Sequence, residues 1–171
     1  MRLIAAIAAS FVVAAACGGP AAAPSPTPTP TVAPTPVPTP SNVFKAELKS
    51  ANENPPIADA EASCSGTGTL TLTGTSAKFD VSITGCPAST VINIGHIHEQ
   101  VAGQNGPVVI DSTLKPGELT LTAGAVTFTR TNTNADPAVI ARLLANPAGF
   151  YMNFHSAVHG GGVIRGQLTK A

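Results

Sequence analysis

From Val43 onward, apolar side chains recur at every second position in short runs. A period of two puts alternate residues on opposite faces of an extended strand, and a helix cannot bury such a pattern on one side. Phe44, Ala46 and Leu48 alternate in a first run. Leu70 and Leu72 alternate with threonines, and Phe79, Val81 and Ile83 follow after a turn near Gly74-Thr75-Ser76. Val91–His98 is apolar at both parities, which predicts a central strand. Further strands are predicted over Pro107–Ile110, Glu118–Leu121 and Ala125–Thr129. A last pair, Phe150–His155 and Val163–Thr169, is joined through Gly160-Gly161-Gly162. One short helix interrupts the pattern. Asn134-Ala135-Asp136-Pro137 offers a cap and a first-turn proline, Val139, Ile140, Leu143 and Leu144 have helical spacing, and Asn146-Pro147 stops it. About eight or nine strands and one helix predict an all-β Greek-key sandwich or flattened barrel.

The 42 residues ahead of this domain divide by composition into two parts. Arg2 precedes an apolar run, Leu3–Ala16, broken only by Ser10. The run falls short of the roughly 20 residues a bilayer core requires and has the form of an export signal. It ends in Ala14-Ala15-Ala16-Cys17, which resembles a bacterial lipobox whose cysteine is acylated; the alternative is plain cleavage after Ala16. Gly18–Asn42 then carries Pro20, Pro24, Pro26, Pro28, Pro30, Pro34, Pro36, Pro38 and Pro40 and no charge. Such a tract favours polyproline II, and at roughly 3.1 Å per residue it would hold a domain some 60 Å from an anchor. The expected organisation is a lipoprotein signal over 1–17, a linker over 18–42 and a domain over 43–171. The expected location is a cell membrane or outer membrane, facing the periplasm or exterior, with Cys17 as the lipidated residue.

The formal net charge is zero and charged residues make up 11% of the chain, which argues against nucleic-acid binding. With Cys17 assigned to a lipid, Cys64 and Cys86 remain. Export favours a disulfide between them, with two free buried thiols as the alternative. Pairing Leu72 with Phe79 and Leu70 with Val81 would set Cys64 opposite Pro87, so a bend at Gly85 is needed to bring Cys86 into place.

Histidines are the one set of residues with a pattern suited to chemistry. His96 and His98 lie two apart on a predicted strand, so both imidazoles project from one face and can chelate one ion. His155 ends another strand and could approach from the side, while His159 precedes the glycine run. The alternative is that the histidines satisfy buried polar groups. Ser112 and Ser156 lack a nucleophile-elbow context, and no phosphate loop occurs.

These segments together resemble the CHRD (chordin-type) domain. The resemblance is carried by Phe44–Leu48, Glu53-Asn54-Pro55-Pro56, His96-Ile97-His98, Gly103–Val109, Tyr151-Met152-Asn153-Phe154-His155 and Gly162–Leu168. It covers roughly Val43–Leu168. It implies an immunoglobulin-like β-barrel with remote similarity to copper/zinc superoxide dismutases. By that similarity, His96 and His98 look like a strand-borne copper-binding pair and His155 like a final copper ligand. The similarity fails for a bridging histidine and for a zinc set, so a two-metal dismutase is not implied. Arg165 is expected to pair with a carboxylate or to bond loop carbonyls.

Three function classes follow. The favoured one is a surface-tethered protein that binds a single transition metal, copper first and zinc second, through His96, His98 and His155. The second is a non-enzymatic extracellular binding or matrix module with structural histidines. The third, a copper-dependent oxidoreductase, is disfavoured by the missing ligands, so a binder is expected rather than an enzyme. The expected partner is a membrane, through the lipid on Cys17. The sequence names no protein partner.

Overall fold

The computed structural model of the protein describes residues 41–171. The export signal, Cys17 and the proline tract up to residue 40 lie outside the described residues. Ser41 and Asn42, read above as the end of the linker, belong to the first strand.

The described chain is an antiparallel sheet curled into a nearly closed barrel, with one short helix. In chain order its strands are β1 (Ser41–Lys49), β2 (Ser65–Thr73), β3 (Ser76–Thr84), β4 (Ile92–Glu99), β5 (Val108–Asp111) and β6 (Val126–Asn132). Helix α1 (Pro137–Ala145) follows, then β7 (Phe150–Ser156), β8 (Ile164–Gln167) and β9 (Thr169–Lys170). In space the order is β5-β4-β7-β8-β1-β2-β3-β6, with β9 also on β1. The two edge strands approach each other, and the Asn132 side chain donates to the Asp111 carbonyl at 3.0 Å across the seam.

The period-two pattern decides what lies inside. Phe44, Ala46, Leu48, Leu70, Leu72, Phe79, Val81 and Ile83 are all buried, and the alternating threonines, serines and charges face outward. Helix α1 forms where its signals predict it. The Asp136 carboxylate caps it by accepting from the Ala138 amide at 2.8 Å, and Val139, Ile140 and Leu143 are buried. Leu144, expected in the buried stripe, stays exposed. Arg142 forks onto Glu99 at 2.8 and 2.7 Å, tying the helix to the end of β4.

Three strand expectations change. Glu118–Leu121 forms no strand: it sits between the Lys115–Glu118 turn and the Thr122–Ala125 bridge, with Leu119 and Leu121 packed partly against the core. β4 is a central strand as expected, paired with β5 and β7, but it is not the strand buried on both faces. That strand is β7, where every residue from Phe150 to Ser156 is buried. Finally, the β2–β3 pairing is two residues out of the expected register. Leu70 faces Phe79 and Leu72 faces Ala77, because the turn is only Gly74-Thr75. Gly74 takes its first central position at φ +58, where a type II′ turn wants glycine.

This register brings Ser65 opposite Thr84, and the chain then bends at Gly85, whose φ of +72 suits glycine. The bend turns Cys86 onto Cys64, and the two form a disulfide with Cα atoms 4.3 Å apart. Both cysteines are buried in the core. The Cys86 amide also donates to Gly124 at 3.1 Å, so one point joins β2, β3 and the turn before β6. A sequence separation of 22 gives a chain-entropy contribution of roughly 3 kcal/mol. Urea unfolding of a Cys64→Ala/Cys86→Ala variant should show a loss of about that size; an unchanged midpoint would mean the crosslink constrains nothing.

Candidate metal centre

β7 carries two alternating sets of side chains. Phe150, Met152 and Phe154 point into the barrel, and Tyr151, Asn153 and His155 share the other face. That polar face is covered. The segment after β1, with short 3-10 turns at Ser50–Asn52 and Ala60–Ser63, crosses it together with the loop around Gly106. β4 lies beside β7, with His96 opposite Asn153 and His98 opposite Tyr151. Gly95 allows the close fit: a Cβ there would strike the Phe154 ring at 2.1 Å.

The expected three histidines do come together. Candidate ligand atoms of His96, His98 and His155 all lie within 4.8 Å of one another, the one such set among the described residues. His159 is elsewhere: its Nε2 is 3.0 Å from Asp59, on the covering segment. Glu99, adjacent to His98 in sequence, is held by Arg142.

Hydrogen bonds decide which nitrogens are available. The Nδ1–H of His98 donates to the Gly106 carbonyl at 2.9 Å, and that of His155 donates to the Gly160 carbonyl at 2.9 Å. A neutral imidazole that donates through Nδ1 carries its lone pair on Nε2. His155 Nε2 therefore accepts from His96 Nδ1, at 3.2 Å. His98 Nε2 is buried and has no hydrogen-bond partner. An orphaned acceptor of this kind is costly to bury unless something fills it.

Metal–nitrogen bonds of roughly 2.0–2.1 Å place ligand nitrogens about 3.2–3.6 Å apart. The His96–His155 separation already meets that spacing. The carbonyls of Gly106 and Gly160 are the outer partners that orient metal-bound imidazoles. The donor set thus fits a transition-metal ion held by His96 Nδ1, His98 Nε2 and His155 Nε2. Filling it needs the His96 proton to move to Nε2 and the rings to close in, since the set as a whole lies within 4.8 Å rather than at bonding spacing.

Electrostatics favour the same state. Burial lowers the pKa of all three imidazoles. For His96 the value falls to about 4, through burial first and then the neighbouring His155, against the opposing charge of Asp111. His98 and His155 are lowered chiefly by burial. The ligands are therefore neutral and need not shed a proton to a competing acid–base step.

Several further residues surround the triad. Tyr151 stacks on His98 with ring centroids 4.8 Å apart and 5° between planes, and its hydroxyl accepts from the Gly106 amide. Arg165 packs on the same ring at 4.9 Å and is buried. As expected of it, Arg165 bonds loop carbonyls, those of Asn52 and Gln104, and also the Asn105 side chain. Glu53 lies beside it at 3.8 Å, its pKa raised to about 7 by burial against the pull of Arg165. Tyr151 and Asn153 were readable as partners of His155 by their two-residue spacing. Glu53 was not, since nothing local in Glu53-Asn54-Pro55 says where the segment lies.

The family model for the CHRD domain matches residues 44–168. None of the curated proteins compared with the chain matches it.

A depressed histidine pKa weakens the fold in acid. The unfolded chain takes up protons below its pKa of 6.5, whereas folded His96 resists until about 4. Stability of the metal-free protein should fall between pH 6.5 and pH 4 through the three lowered histidines, partly offset by Glu53, whose pKa of about 7 keeps a proton on the folded state that the unfolded chain gives up. A His96→Asn variant should show a shallower fall over that window; an identical pH profile would show that His96 titrates normally.

Proposed function

The chain belongs to the CHRD-domain family, and we propose that it binds a single transition-metal ion, copper in preference to zinc, through His96, His98 and His155. The observation that carries this reading is the buried His98 Nε2, without a partner, in a cluster whose ligand atoms lie within 4.8 Å. A structural histidine would be expected to use both ring nitrogens. Imidazole nitrogens suit copper, zinc, nickel and iron, and at equal geometry copper(II) is bound above zinc. Bound metal would supply Lewis acidity or a one-electron couple. The residues contribute a dry, preset cage: Gly106 and Gly160 hold two rings, and Tyr151 packs against a third side. The role we assign is metal binding at the cell surface, for storage, delivery or protection, rather than turnover.

The anchor completes the proposal. Acylation of Cys17 would hold the domain on a membrane, and the proline tract would serve as its stalk. Among the described residues no helix is long and apolar enough to cross a membrane.

Tyr151 is the only tyrosine and the chain has no tryptophan, so intrinsic fluorescence reports on the ring stacked against His98. Copper(II) should quench it stoichiometrically. His96→Ala, His98→Ala and His155→Ala should each weaken binding beyond the roughly 10–100-fold that follows loss of an outer partner, and His159→Ala should not. Wild type that binds no better than the triad variants would leave the histidines structural and make the chain a non-enzymatic binding module. A separate measurement tests the anchor. Cys17→Ser should move the protein from the membrane fraction to the soluble fraction or leave it unprocessed; unchanged fractionation with no lipid on the mature N-terminal peptide would remove the lipid from the proposal.

A further inference from the structure

We propose that Asp111 supplies an oxygen ligand on the open side of the three-histidine centre and makes that centre prefer copper(II) to copper(I). The inference rests on the metal-binding reading above. β5 pairs with β4 so that Asp111 stands directly opposite His96. Cross-strand partners share a face, with Cβ atoms about 4.5–5.5 Å apart. The sequence shows no such relation, because a bulge between Ile97 and His98 separates this pair from the His98–Val108 pair.

The other sides of the triad are closed. His98 and His155 are buried, and each is fastened to a backbone carbonyl. Tyr151 covers the flank of His98. His96 is the half-buried member, and Asp111 beside it is exposed. The least buried side of the triad is thus that of His96, which β5 borders. The negative charge of Asp111 already acts on His96, where it opposes the effect of burial.

The carboxylate is also held in place. Its Oδ1 accepts from the Thr113 amide at 2.6 Å, which leaves Oδ2 for a further partner. To make that bond Thr113 takes a φ of +70, a left-handed conformation that a β-branched residue rarely adopts. The turn is kept by its surroundings. Ser112, fully buried, donates its amide to Gly95 and accepts from the Leu114 amide. Asn132 fixes the Asp111 carbonyl from β6. A strained turn anchored from three sides thus sets one carboxylate beside the one accessible imidazole of the triad. A hard anionic oxygen stabilises copper(II) more than copper(I), which prefers softer donors.

The test is Asp111→Asn in the mature full chain. Asparagine keeps the size and the acceptor for the Thr113 amide. Copper(II) titration followed by Tyr151 fluorescence should show a loss of at least about tenfold in affinity, the lower end of what removing a metal-site partner does. Electron paramagnetic resonance should keep its nitrogen hyperfine pattern while g∥ rises, and the copper reduction potential should shift upward. Wild-type affinity, spectrum and potential in the variant would overturn the assignment. So would an affinity loss that added salt abolishes with no change in the spectrum, since Asp111 would then act by charge alone. Wild type that binds no copper overturns the metal-binding reading itself, a different failure from a variant that matches a metal-binding wild type.

Discussion

The polar face of β7 has to be buried, and most of the molecule's specific features answer that demand. Its apolar face, Phe150, Met152 and Phe154, belongs to the barrel core. Its other face, Tyr151, Asn153 and His155, is equally shut off from water. Polar groups removed from water need partners, and a strand's own backbone cannot supply them. The partners come from elsewhere: Gly160 for His155, the Gly106 amide for Tyr151, and Glu61 for the neighbouring Ser156 hydroxyl. The covering segment is in turn fastened by the Asn54–Gly103 and Asn105–Asn54 bonds and by Arg165 on Asn52. It leads through Cys64 into the disulfide, so the cover and the barrel share one crosslink.

The candidate centre is a consequence of that cover. Excluding water lowers the histidine pKa values and keeps the imidazoles uncharged. Fixed carbonyls choose the tautomers and so choose which lone pairs face each other. The same burial raises Glu53 toward neutrality next to Arg165, leaving polar atoms of Glu53, Asn153 and Arg165 without partners close to the triad. β5 and β6 are the two ends of the sheet, and the half-buried His96 is the member of the triad next to β5.

Much of this was legible beforehand because strand and helix signals are local. The Thr–Leu alternation of β2, the Phe79–Val81–Ile83 face of β3 and the Asp136-Pro137 start of α1 depend on neighbours within a few positions. The His96–His98 pair was legible for the same reason, since period two alone aligns the rings. Register was not. Both the expected and the observed β2–β3 pairings bury apolar residues against apolar residues, and the choice of a two-residue turn at Gly74-Thr75 separates them. The burial of β7 was hidden too, because Tyr-Met-Asn-Phe-His alternates as a half-exposed strand would.

By itself, then, the amino-acid order determined an all-β domain with one helix, membership of a family, a cysteine pair and three histidines on strand faces. Each of these follows from residue type and short-range spacing. Only the tertiary structure decided that β4 lies against β7, that His155 meets His96, and that Asp111 stands across from His96 on an edge strand. Those contacts join positions well separated in the chain, 15 residues apart for His96 and Asp111 and 59 for His96 and His155, and their pairing depends on how the whole sheet curls to bury its apolar face. Nothing in the local sequence encodes that choice, because many strand orders satisfy the same alternation and the free energies that separate them are summed over the entire core.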